Sequence, residues 1–146
     1  MDDQLTPHVA LSELTVTNTG LDNTPDAAQI ALLTTLAEFL EKCRTALGNE
    51  PVLIDSAFRS AGVNATVGGV SNSAHTLCYA ADIRHATLTP WQIALALDAA
   101  EKAGHIAFDQ LIYEHEWTHV SRDPQLRGQR LTHNADGSYS AGLIGP

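Results

Sequence analysis

Two histidines four residues apart, His115 and His119, lie in the run "YEHEWTHV", and the conformation of that run decides what the rest of the chain can become. On a helix, H-E-x-x-H places both imidazoles on one face, where they can share a metal ion. The neighbours speak against a helix, because Leu111, Ile112, Tyr113, Trp117, Thr118 and Val120 favour a pleated, half-buried strand. A helical site of this type also takes a third protein ligand from further along the chain. No Glu follows Glu116, and the version with a Gly and a third His in fixed register is missing as well. The segment is therefore read as two strand-like pieces, "QLIYE" and "WTHVSR", and His119 needs partners from elsewhere.

The other elements fit around such strands. In "NTPDAAQIALLTTLAEFLEKCRTALGNE", Thr24 can cap a helix with Pro25 at its first position and Asp26 complementing the dipole. Ile30, Leu33, Ala37, Leu40, Cys43 and Leu47 then recur at helical spacing until Gly48, which makes Cys43 core filler. "VLIDSAF" after Pro51 has strand length, "RSAGVNATVGGVSNSAH" is an irregular segment, and "YAADIRH" is a further strand. A second helix opens at Thr89, with Pro90 first inside, Gln92 completing a capping box and Gly104 at its end. Helices segregated from a small set of strands predict an α+β fold, one domain over residues 1–146.

Composition narrows the partners. The net charge is −9 with only eight Lys and Arg, scattered, which excludes a nucleic-acid backbone binder. No apolar run reaches the length of a membrane span, so no membrane insertion is expected. The acidic start "MDDQLTPHVA" is unlike a secretory signal, and Cys43 and Cys78 read as reduced thiols. Synthesis in the cytoplasm and a monomeric state are the expectations.

A metal site can be assembled without a helix. "SAHTLCYAAD" places His75 seven residues before Asp82, and with His119 these form a His, Asp, His set that leaves one zinc position open to water. Seven fully extended residues would span more than ~20 Å, so the segment must fold back for both to reach one ion.

Several separated motifs now resemble one family: the zinc D,D-carboxypeptidases and L-alanyl-D-glutamate endopeptidases, which include phage endolysins and share a fold with the hedgehog signalling domain. The family pattern S-x-H-x-x-G-x-A-x-D followed by W-x-H is met by Ser73, His75, Ala80, Asp82, Trp117 and His119. "SAFRS", "FDQLIYE", "LSELT" and "DNTP" are also similar, so the resemblance runs from about Leu11 to Arg130 and leaves a short C-terminal tail. It implies a hedgehog/D-Ala-D-Ala peptidase-like domain with a small antiparallel sheet and flanking helices. Where the family has Gly, this chain has Cys78, which is penalised if that position needs positive φ. There Cys78 reads as a small hydrophobe, with a thiolate offered to the metal as the alternative.

The resemblance also implies roles. His75, Asp82 and His119 would hold one Zn²⁺. A carboxylate would move the proton of the attacking water, with Glu116 preferred and Glu114 its rival. Strict alternation would turn Glu116 away from His119 unless a bulge or bend intervenes. Arg59 would clamp a substrate carboxylate or stabilise the tetrahedral intermediate. Ser73 would bond substrate or support a ligand, Trp117 would wall the pocket, and His115 would share the strand face of His119. The implied activity is zinc-dependent hydrolysis of peptidoglycan stem peptides, as in an endolysin that accumulates in the host cytoplasm and reaches the wall after the membrane is permeabilised. The alternative is a catalytically inactive zinc-containing binding or virion structural domain of the same fold.

Overall fold

In chain order the elements are β1 (Gln4–Thr6), β2 (Val9–Ala10), α1 (Leu11–Leu14), α2 (Ala27–Ala46), β3 (Val52–Ser56), α3 (Ala61–Thr66), β4 (Ala80–His85), α4 (Pro90–Lys102), β5 (Gln110–Tyr113), β6 (Thr118–Ser121), β7 (Gln129–His133) and β8 (Tyr139–Ala141). They come from a computed structural model that describes residues 3–146. The long helix starts two residues later than the sequence suggests. Asp26, not Thr24, is its cap: the Asp26 carboxylate accepts from Gln29 N–H while the Gln29 side chain accepts from Asp26 N–H, a reciprocal pair that Thr24 cannot make. Thr24 is occupied instead in a turn with Asp22. The second helix follows its sequence signals, with Thr89 capping, Pro90 inside and Gln92 returning the bond.

Both helices lie on one face of a six-stranded sheet of order β3-β4-β6-β5-β7-β8. Strand alternation sorts the side chains. Ala81, Ile83, Leu111 and Val120 point into a core with Leu33, Leu36, Phe39, Leu40 and Cys43 of α2 and Ile93 and Leu97 of α4. Each is almost completely withdrawn from water, so the apolar area removed on folding is concentrated in this layer. The opposite face is left to other work.

The sheet corrects two expectations. It is larger than a small antiparallel sheet, and it is mixed, because β7 pairs in parallel with β5 while the other ladders are antiparallel. The C-terminal tail is consequently no tail: residues 129–141 add β7 and β8 to the sheet beside β5. The loop of their hairpin contains Asp136-Gly137, where Gly137 takes φ +88°. The segment read as irregular after Arg59 also contains a helical turn, α3, capped by Ser60. Among the described residues no helix is long and apolar enough to cross a membrane.

Candidate metal centre

One row of cross-strand neighbours forms the floor of a cleft on the face away from α2 and α4. Ser56 pairs with Asp82, Asp82 with His119, His119 with Ile112 and Ile112 with Leu131, so five strands each contribute one side chain to the same line. Asp82 and His119 are buried at its centre. Asp82 Oδ1 lies 3.0 Å from His119 Nδ1.

His75 arrives from a turn rather than a strand. The chain folds back between the two sequence-neighbouring ligands, with Tyr79 N–H donating to the Ala74 carbonyl and Cys78 N–H to the His75 carbonyl. Cys78 sits at the reversal with φ +66°, the left-handed conformation that a glycine adopts freely. Its side chain points into the core, where burial pushes the thiol up to about 11, and it is not among the grouped ligand atoms. Cys43 is buried on α2 and pushed up to about 12 by the same cause. Both cysteines are free.

The tautomer of His75 follows from its partner. Nδ1 stands 2.7 Å from the Ala57 carbonyl, which can only accept, so Nδ1 carries the hydrogen and Nε2 presents its lone pair to the cleft. That lone pair faces Asp82 Oδ1 at 3.3 Å, an approach of two acceptors unless a proton or a cation lies among them. Ligand atoms bound tetrahedrally at about 2.0–2.2 Å from a zinc ion stand about 3.3–3.6 Å apart. The separation of 3.3 Å falls at the edge of this range and that of 3.0 Å just below it, and the three candidate ligand atoms all lie within 4.8 Å of one another. Two imidazoles and one carboxylate suit zinc and leave room for a further ligand. Burial pushes the Asp82 carboxyl up, but the imidazoles of His119 and His75 beside it overturn this and hold it well below the usual carboxylate range.

Arg59 reaches the other oxygen of the same carboxylate, with Nη2 3.5 Å from Asp82 Oδ2 and Nε donating to Ser56 Oγ at 3.2 Å. The segment carrying it is held by Asn23, which donates to the Phe58 carbonyl and accepts from Ser60 N–H. Ser73 is half-buried at the cleft, and its hydroxyl accepts from His75 N–H.

The two acids differ sharply in position. β5 ends at Tyr113, and residues 114–117 form the turn into β6. Counting along β5, Gln110, Ile112 and Glu114 share a face, and all three line the cleft with His75, Asp82 and His119. Glu114 is half-buried, its Oε2 accepts from Trp117 Nε1 at 3.1 Å, and burial followed by the negative charge of Asp82 pushes its carboxyl up. Glu116 lies at the exposed tip of the turn and does not line the cleft. His115 likewise leaves the strand face of His119. It adopts φ +66°, is exposed, pairs Nε2 with the His133 carbonyl at 2.8 Å and stacks beside Tyr113. A helical H-E-x-x-H is thereby excluded, since His115 lies within the hairpin turn and His119 on the strand that follows it.

Leu131 and Tyr139, which the sequence reading did not single out, close the cleft of about 520 Å³ from the β7–β8 side. Burial and the nearby carboxylates of Glu114 and Asp82 push the Tyr139 phenol up, and its ring rests against His133.

A buried three-ligand centre at the strand row of an α+β sheet, with a carboxylate beside it, has the form of a hydrolytic metal site. The family model of peptidase M15 matches residues 7–121. The chain belongs to this peptidase family. Among curated proteins it is similar to a zinc D-Ala-D-Ala carboxypeptidase of Streptomyces albus G, 34% identical over 85 residues. That match covers 56% of this chain, which spans 33% of the relative's length.

Proposed function

We propose that this chain is a zinc-dependent peptidase that hydrolyses peptide bonds in peptidoglycan stem peptides, with one Zn²⁺ held by His75, Asp82 and His119. The observation that carries the reading is the placement of Glu114 in the same cleft as that ligand set. When bound, the ion would supply Lewis acidity toward a water and the scissile carbonyl.

The chain's own residues would do the rest. Glu114, rather than Glu116, would take the proton of the attacking water and pass it to the leaving amine; its raised carboxyl suits it to hold a proton between these steps. Trp117, by donating to Glu114 Oε2, fixes which oxygen faces the substrate. Arg59 would donate to the oxygen that gains negative charge or to a substrate carbonyl, a role its lodging against Asp82 makes sterically available. Ser73 and Trp117 would bound the bound peptide, with Leu131 and Tyr139 opposite. His115, held to His133, would have no direct part.

The peptidoglycan substrate rests on the Streptomyces relative and on the motif resemblance, and the endolysin setting on the resemblance alone. A catalytically inactive zinc-containing domain of the same fold is the second reading, favoured by Cys78 at the family's glycine position. The test is digestion of purified peptidoglycan. New amine termini should appear with zinc-loaded protein, stop with chelator, return with added zinc, and be absent for Glu114→Gln. Full activity of Glu114→Gln with loss in Glu116→Gln would overturn the assignment of the base.

A further inference from the structure

A second row of side chains crosses the cleft face of the sheet, one step beyond the ligand row. Ile112 pairs with Leu131 and Tyr113 with Thr132, so the same parallel register carried forward brings Glu114 beside His133. His133 in turn pairs with Tyr139 across the β7–β8 ladder, and partners in such a pair share a face. The row therefore runs Glu114, His133, Tyr139, and its two ends both line the cleft. Strands β7 and β8 lie beyond residue 121, where the family match ends, so the peptidase motifs give them no part.

Tyr139 is held in place with its polar end unused. Its ring packs against that of His133 with centroids 5.1 Å apart, and the hairpin that carries it is braced by Asn134, whose Nδ2 donates to the hydroxyls of Ser138 and Ser140. Among the described residues no group bonds to the Tyr139 hydroxyl. A tyrosine on a surface is ordinary, but this one stands on a rigid hairpin at the rim of a ligand-bearing cleft and points a free donor at whatever fills it. Burial, then the charge of Glu114 and Asp82, pushes the phenol up, so it keeps its hydrogen at neutral pH.

The path of the proton decides which part of a substrate the hydroxyl can meet. Glu114 hands its proton to the leaving amine, so the residue that carries this amine comes to rest beside Glu114, on the Tyr139 side. Two strand spacings, about 10 Å, separate the backbones at Glu114 and Tyr139, and one residue of extended peptide, about 3.3 Å long, fits between side chains reaching in from both walls. That residue offers a carbonyl oxygen if the peptide continues and a carboxylate oxygen if it ends there. Resting on the peptidase reading and deepening it, we propose that Tyr139 is a substrate-binding residue of the leaving side, its hydroxyl donating a hydrogen bond to the carbonyl or carboxylate oxygen of the residue whose amine is released. The His133 ring sets the direction of the phenol.

Steady-state hydrolysis by the zinc-loaded full chain tests this with stem peptides matched on the leaving side: a free acid, a primary amide, and a third in which a methylene replaces the carbonyl. Wild type should cut the first two with kcat/KM about five- to tenfold above the third. Tyr139→Phe should lose that advantage, mainly through KM, and cut the third as wild type does. Loss on the acid and the amide together names the carbonyl oxygen, and loss on the acid alone names the carboxylate; either result supports the hydrogen bond. Unchanged kcat/KM on all three substrates, or an equal loss on all three, would overturn it and leave the peptidase reading standing. Tyr139 is 52% exposed and its hydroxyl holds nothing in the fold, so zinc content and the urea midpoint should not move in Tyr139→Phe. A fall in either would make the phenol structural and overturn the proposal. No hydrolysis by wild type under any zinc condition would remove this inference and the peptidase reading together.

Discussion

Asn23 grips the backbone on both sides of Arg59: its Oδ1 accepts from Ser60 N–H at 2.7 Å while its Nδ2 donates to the Phe58 carbonyl at 2.9 Å and to the Thr15 carbonyl at 3.0 Å. Asn23 is itself buried, so its removal strands polar backbone groups out of reach of water. Asn23→Ala should cost about 2–3 kcal/mol in urea unfolding. It should also lower kcat/KM, through a loosened Arg59, while zinc binding stays intact. Equal stability of variant and wild type would mean that Arg59 is held by other contacts.

Metal retention separates the strand site from the helical alternative. Asp82 bridges both imidazoles, whereas His115 faces the β7 backbone. After dialysis, Asp82→Ala and His119→Ala should retain little zinc by elemental analysis, and His115→Ala should retain a full equivalent. The reverse pattern is incompatible with the ligand set proposed for this fold.

The proton-transfer group can be tested by the contrast between neighbouring acids. Glu114→Gln keeps the size and the acceptor for Trp117 Nε1 but cannot take a proton, so kcat should fall about 10²–10⁴-fold. Glu116→Gln, at the exposed turn tip, should stay within about twofold of wild type in a steady-state assay of stem-peptide hydrolysis.

These contrasts also show what the letters could and could not convey. α4, β4, β5 and β6 were legible because capping chemistry and alternation are local, and the clustering of His75, Asp82 and His119 was legible because the motif fixes their spacing. Which acid lines the cleft was not. Alternation counted backward from His119 along β6 turns Glu116 away, but the relevant count runs forward along β5 through Gln110 and Ile112 to Glu114, and only the position of the hairpin turn says which strand an acid belongs to. The parallel pairing of β7 with β5 is a long-range choice with no local signature, so Leu131 and Tyr139 could not be placed at the cleft. Thr24 was read as the cap and Asp26 as an acid complementing the dipole, but the reciprocal bond with Gln29 makes Asp26 the cap.

Cys78 at φ +66° makes a stability prediction with two variants. A side chain in the left-handed region costs about 1–2 kcal/mol, and a β-branched one more. Cys78→Val should therefore be destabilised by about 2 kcal/mol or more and should weaken zinc binding by disturbing the turn that carries His75. Cys78→Gly relieves the backbone but loses a buried side chain, so it should fall within about 1 kcal/mol of wild type. Urea unfolding of the two variants checks the order, and a Val variant as stable as Gly would show that the turn adapts.

Asp109 ties the loop before β7 to the start of β5 and supplies a pH dependence whose sign can be worked out. Its carboxylate is buried, with Oδ1 accepting from Arg127 N–H and Nε and Oδ2 from Nη2. The Arg127 side chain, more than the opposing effect of burial, holds the Asp109 carboxyl below its ordinary value. A group whose folded pKa is depressed stabilises the fold fully above its unfolded pKa, about 3.9, and that contribution fades as pH falls from there through the lower folded value. Asp109→Asn removes the negative charge and one of the two oxygens that accept from Arg127, so the variant should unfold at lower urea than wild type at pH 7. As pH drops below about 4 the wild type loses the same contribution and the two unfolding midpoints should converge. A gap that persists unchanged from pH 7 to pH 3 would show that Asp109 acts through packing and not through its charge.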